Sequence, residues 1–90
     1  MKQVWKFALS AVVPDVEMPR GAEVLSVQVQ RGEPCLWALV DTHAQREVRR
    51  FVTVGTGHDI PSDLRMKHVG TFQLHGGDLI FHVFEVLRAP

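Results

Sequence analysis

Twenty residues near the end of the chain, HVGTFQLHGGDLIFHVFEVL (68–87), restrict its fold more than any other stretch. Gly76-Gly77 separates two segments of alternating apolar and polar residues, the pattern of a hairpin closed by a two-residue primed turn. Folding about that turn sets His75 opposite Asp78, Leu74 opposite Leu79 and Phe72 opposite Phe81. Further along, Thr71 faces His82 and Val69 faces Phe84. Phe72, Leu74, Leu79, Phe81 and Val83 then form one apolar face, which predicts core. The other face mixes Thr71, Gln73 and His82 with Ile80 and Phe84, enough apolar area to be covered in part by a ligand, a subunit or a loop.

The rest of the chain repeats the two-residue period. QVWKFAL (3–9) puts Trp5, Phe7 and Leu9 on one side and Val4, Lys6 and Ala8 on the other. EVLSVQVQ (23–30) is the cleanest alternation, with Leu25, Val27 and Val29 facing in and Ser26, Gln28 and Gln30 facing out. RGEP (31–34) reads as a hairpin connection into CLWALVD (35–41), and VRRFVTVG (48–55) is β-branched enough to pair with that strand. In 48–55 Val48, Val52 and Val54 argue for one buried face and Phe51 for the other. THAQRE (42–47) reads as polar loop, and PSDLRMK (61–67) leaves room for one helical turn opening at Pro61. No segment holds a helical period over a full three turns. The pattern predicts a single domain over residues 1–90 that is all-β or β-rich with one short helical turn. Six to seven short, mostly antiparallel strands would form a small sandwich or half-barrel.

Charge and cysteine content narrow the function classes. Ten basic and ten acidic residues cancel, so no global field draws DNA, RNA or an anionic membrane. The single cysteine, Cys35, excludes an internal disulfide and a cysteine zinc site; in PCLWALV it reads as a small buried hydrophobe. One free thiol and an N-terminal stretch broken by Lys6 and Pro14 predict a cytoplasmic protein, with neither signal peptide nor membrane span.

No set of residues announces catalysis or metal binding. The five histidines (43, 58, 68, 75, 82) stand at least seven residues apart, too far for a local ligand motif, so no metal or other cofactor is expected. Ser10, Ser26 and Ser62 lie in no nucleophile-elbow motif, and the carboxylates sit mostly in turns. Glu85 is the exception, an acid in an apolar strand that either pairs with an arginine or points outward. The chain is therefore read as non-enzymatic.

The remaining lead is VTVGTGHDIPSD (52–63). Glycines two apart let successive N–H groups point one way, as in an anion-binding nest. On this reading Gly55, Thr56, Gly57 and His58 would meet an anion, with Arg49 or Arg50 adding charge. The other reading is a plain turn that ends a strand, and spacing leaves both open. Trp37, facing outward beside Gln28 or His82, would stack on a base or close a subunit interface; the alternative is a core tryptophan.

Taken in order, VWKF, MPRGAEVLSVQVQ, CLWALVD, GTGH, HVGTFQL and FHVFE resemble a family of short, functionally unassigned bacteriophage and prophage proteins, over almost the whole chain. The chain departs from that pattern at His68, where the family has an aromatic, so a pocket lined by this position would make different contacts here. The resemblance implies a phage-encoded protein in the host bacterial cytoplasm. Class-level analogy then suggests a counter-defence role, a homo-oligomeric sponge that binds a cyclic oligonucleotide or a cyclic ADP-ribose type of immune signal. Its contacts would be Gly55 to His58 and Arg49 or Arg50 on phosphate, and Trp37, Gln28 or His82 on the base. The alternative is a protein-binding inhibitor of a host defence effector, or a phage accessory or structural subunit.

Overall fold

Alternating side chains demand two layers, and the computed structural model supplies them as two antiparallel sheets. It describes residues 1–9 and 14–87; Ser10, one of the serines considered above, lies outside that range. The strands are β1 (Lys2–Ala8), β2 (Asp15–Pro19), β3 (Glu23–Gln30), β4 (Glu33–Asp41), β5 (Arg46–Gly55), β6 (Met66–Leu74) and β7 (Leu79–Val86). One sheet has the order β1-β4-β3 and the other β2-β5-β7-β6, with no closure into a barrel. A 3₁₀ turn at His75–Gly77 is the one helical element among the described residues; 61–67 forms turns and the start of β6 rather than helix.

The core lies between the sheets. Leu36, Ala38 and Val40 of β4 meet Phe51 of β5, Phe72 of β6 and Val83 of β7, with Leu9, Val16, Met18, Ala22 and Val27 completing the cluster. Trp5 and Phe7 pack against it from β1, as their alternation predicts. The question of which face of β5 is buried has the answer both. Phe51 points into the core, while Val52 and Val54 are buried on the opposite face, where Phe84 and His82 stand in the cross-strand positions.

Two bulges change what the alternation predicts. In β3 the register shifts between Val24 and Ser26, so Leu25 becomes the extra residue and is 48% exposed instead of facing in. In β6 the shift falls between His68 and Gly70. The hairpin pairs Leu74 with Leu79, Phe72 with Phe81 and Thr71 with His82 as expected, but His68, not Val69, faces Phe84. At the turn Gly76 and Gly77 both have positive φ (66° and 99°), the sign a type I′ turn requires. Leu79, at the mouth of the hairpin, stays 44% exposed although its parity is that of the core.

At Gly70 the two sheets approach closely. A Cβ on it would lie 2.7 Å from Val27 Cβ of the opposite sheet, so only glycine lets β6 approach β3 this way.

Candidate functional site

The Gly-Thr-Gly-His segment forms a tight turn. The His58 N–H donates to the Gly55 carbonyl (3.0 Å), Gly57 takes φ +86°, and the His58 ring folds back over Gly55. That φ is the reason for the second glycine. The Thr56 N–H donates to the Ile80 carbonyl (3.1 Å), so two of the amides that a nest would aim at an anion are already committed.

The arginines stand in the middle of β5, away from the turn. Gly55 lies six positions beyond Arg49, about 20 Å along a strand. Arg49 is turned between the sheets, where its guanidinium holds both Glu85 oxygens (2.6 and 2.7 Å) and donates to the Ala22 carbonyl (2.6 Å). The Glu85 carboxylate raises the Arg49 guanidinium above its ordinary value, and both side chains are mostly buried (17% and 13% exposed). Arg50 points to the opposite face and pairs with Asp15 (2.9 Å). The structure therefore brings neither Arg49 nor Arg50 to Thr56 or His58.

Thr56 does meet His82. Its hydroxyl lies 2.8 Å from His82 Nε2, His82 Nδ1 lies 3.0 Å from the Thr71 hydroxyl, and Thr71 lies 3.1 Å from His68 Nε2. The Thr56 hydroxyl can also donate to the Ile80 carbonyl (3.3 Å). With that carbonyl as terminal acceptor, one direction satisfies every group. His68 donates to Thr71, Thr71 to His82 Nδ1, and His82 Nε2–H to Thr56. This polar line crosses the outer face of the four-stranded sheet and ties the β5 turn to the final hairpin. The sequence hid it, because His68 and Thr71 share a face only through the bulge at Val69.

Trp37 and Gln28 come together on the other outer face. Leu36, Ala38 and Val40 fill the inner side of β4, which turns Cys35, Trp37 and Leu39 outward. Cross-strand register places Lys6, Trp37 and Ser26 in one row, and Ala8, Cys35 and Gln28 in the next. Val4, Leu25, Ser26, Gln28 and Trp37 line a shallow groove of about 330 Å³. Here the indole offers a flat apolar platform beside an amide, a hydroxyl and, from the same row, an ammonium. His82 belongs to the other sheet and takes no part.

Lys6 Nζ donates to Gln30 Oε1 (2.6 Å). Lys6 sits on the Trp37 row and Gln30 on the Glu33 row, so their contact passes over β4 at the level of Cys35. The thiol is 3% exposed beneath it, outside the core cluster, and donates weakly to the Glu33 carbonyl (3.6 Å). Trp5, by contrast, faces inward, with Arg46 stacked 4.8 Å above its ring.

Among the described residues no group of three or more His, Cys, Asp or Glu side chains could hold a metal ion. No curated protein and no solved structure matches the chain. One family model does match, over residues 1–89, and the chain belongs to that family, the domain of unknown function DUF7352.

Proposed function

We propose that this chain is a non-catalytic binding protein that sequesters a nucleotide, and that the outer face of the β1-β4-β3 sheet holds it. The observation that carries this reading is Trp37, turned outward in a groove it shares with Ser26 and Gln28 and standing in line with Lys6. A base stacked on this half-buried, outward-facing indole gains about 1–3 kcal/mol whatever its identity. The Gln28 amide and Ser26 hydroxyl offer donors and acceptors to the base edge. Lys6 exchanges its neutral Gln30 partner for a phosphate. The resemblance to short phage proteins supplies the setting: a phage-encoded sponge for a cyclic nucleotide immune signal in the host cytoplasm.

Calorimetry against cyclic di-AMP, cyclic di-GMP, cyclic GMP-AMP and cyclic ADP-ribose tests it. One of them is expected to bind at about 10 μM or tighter, with Trp37→Ala weakening it at least about tenfold. No heat from any of the four ends the nucleotide reading.

A second reading, a module that binds a host defence protein, is favoured by a different observation. Val48 is 58% exposed and Ile80 39% exposed at opposite ends of the outer face of the four-stranded sheet, so a protein partner would have to span that face. Stoichiometric recovery of one host protein, lost with Val48→Asp, is the outcome that distinguishes it.

A further inference from the structure

Two open sheets have four edge strands, and three of these carry a bulge or a proline that discourages further pairing. β3 is bulged at Leu25, β6 is bulged at Val69, and β2 ends on Pro19. β1 has neither bulge, glycine nor proline over its seven residues, and its register with β4 is unbroken. Among the described residues no strand pairs with its other side.

The free edge has a definite hydrogen-bonding phase. The Thr42 N–H donates to the Met1 carbonyl (2.9 Å) and the Leu9 N–H to the Pro34 carbonyl (3.0 Å). Odd residues of β1 therefore bond to β4, and Lys2, Val4, Lys6 and Ala8 direct their N–H and C=O groups away from it.

We infer that β1 pairs with β1 of a second copy of this chain, antiparallel about a two-fold axis at Trp5. Trp5 is the middle residue of Lys2–Ala8, so this register is the one that uses the whole strand. It sets Lys2 opposite Ala8 and Lys6 opposite Val4, and Trp5 faces its own copy. Moving the centre to Val4 sets Lys2 against Lys6, and moving it to Lys6 sets Lys6 against itself, both like-charge pairs. Lys6 leans over β4 to Gln30 in the single chain, so the like-charge pairs act together with the use of the whole strand to choose the register. The pairs Lys2–Ala8 and Val4–Lys6 fall at the even positions, so the free donors and acceptors of both edges meet. The product is one continuous six-stranded sheet with two outward Trp37 platforms. Val4, which lines the groove, also gains Lys6 of the second copy as a neighbour; the use of that lysine by a bound nucleotide rests on the nucleotide reading, and the pairing does not.

Sedimentation equilibrium of the untagged protein, without nucleotide, tests the pairing. The wild type is expected to weigh twice the 10.1 kDa chain at about 100 μM. Val4→Pro removes only a donor that faces the free edge, and is expected to leave a folded monomer. Val4 is 55% exposed, so charged variants keep the fold and read the register directly. Val4→Lys, placed twice against Lys6, is expected to weaken the dimer about tenfold, and Val4→Glu to tighten it about tenfold. A wild-type monomer at this concentration overturns the inference. So does a dimer that ignores the sign of the charge at position 4, including the case in which Val4→Pro fails to fold. Dimerisation with silent calorimetry would sink the nucleotide reading alone, and 1:1 binding by a monomer would sink the pairing alone.

Discussion

Arg49 makes three hydrogen bonds at once, two to the Glu85 carboxylate and one to the Ala22 carbonyl, in a partly buried position where both side chains also line open grooves. Its electrostatic work is thereby spent inside the fold, linking β5 and β7 to the turn that leads into β3. Arg49→Ala strands the Glu85 charge and the Ala22 carbonyl together, and is expected to cost about 2–4 kcal/mol in urea unfolding. The double replacement Arg49→Met with Glu85→Leu is expected to recover most of that loss, because it removes both charges. A loss below about 0.5 kcal/mol for the single variant would mark the pair as a surface ion pair. In the sequence Arg49 and Arg50 are adjacent and chemically alike. Strand parity sends one between the sheets and the other to the outer face, which no local signal reveals without knowing which face is covered.

Elements show where alternation stops being a guide. Trp5, Phe7, Val27 and Phe72 fall on the faces their spacing predicts, because period two is all that a regular strand needs. Leu25 and His68 do not, and each sits at or beside a bulge that inserts one residue and reverses parity. A bulge leaves almost no mark on a hydrophobic pattern. Gly70 is the exception, since a glycine inside an alternating strand signals close approach. Gly70→Ala puts a methyl 2.7 Å from Val27 Cβ, and is expected to destabilise by about 1–3 kcal/mol. Val27→Gly in the same chain removes the Cβ that the new methyl meets, so the double variant should lose less than the two singles added. Strict additivity in denaturant titrations would mean that the sheets move apart freely at this point.

On the scale of the whole molecule the chain is a slab of 40 × 34 × 17 Å, two sheets deep, with both outer faces at the surface. Surface carboxylates on such a slab set its response to acid. The Arg50 hydrogen bond holds Asp15 below the usual carboxylate range, and the His43 amide does the same for Asp41. Groups with lowered values contribute stability that is full above the ordinary carboxylate value near 3.8 and is lost as pH falls through their folded values. Tm should therefore be insensitive to these two groups from pH 5 to 7 and fall below about pH 4, with a shallower fall in Asp15→Asn and Asp41→Asn. An unchanged acid limb in both variants would show that neither pair matters to folding. The fold class and the final hairpin were legible because they follow from parity and turn chemistry, whereas CLWALVD is apolar on both parities and left Trp37 open between platform and core. The separation of Gly-Thr-Gly-His from the arginines was legible in principle as well, since a strand keeps residues 49 and 55 far apart. The line from His68 to Thr56 was not, because it depends on the bulge at Val69.

The Lys6–Gln30 contact that passes over Cys35 gives the Trp37 face a built-in clock. A thiol that is 3% exposed reacts with an aqueous reagent only when its surroundings open. The rate at which Cys35 is labelled counts those openings, and Lys6→Ala, which removes the contact to Gln30, tests how much of the cover that contact supplies. The chain carries one cysteine, so the signal comes from a single place. Occupancy of the face can be timed by mass spectrometry with no knowledge of what occupies it.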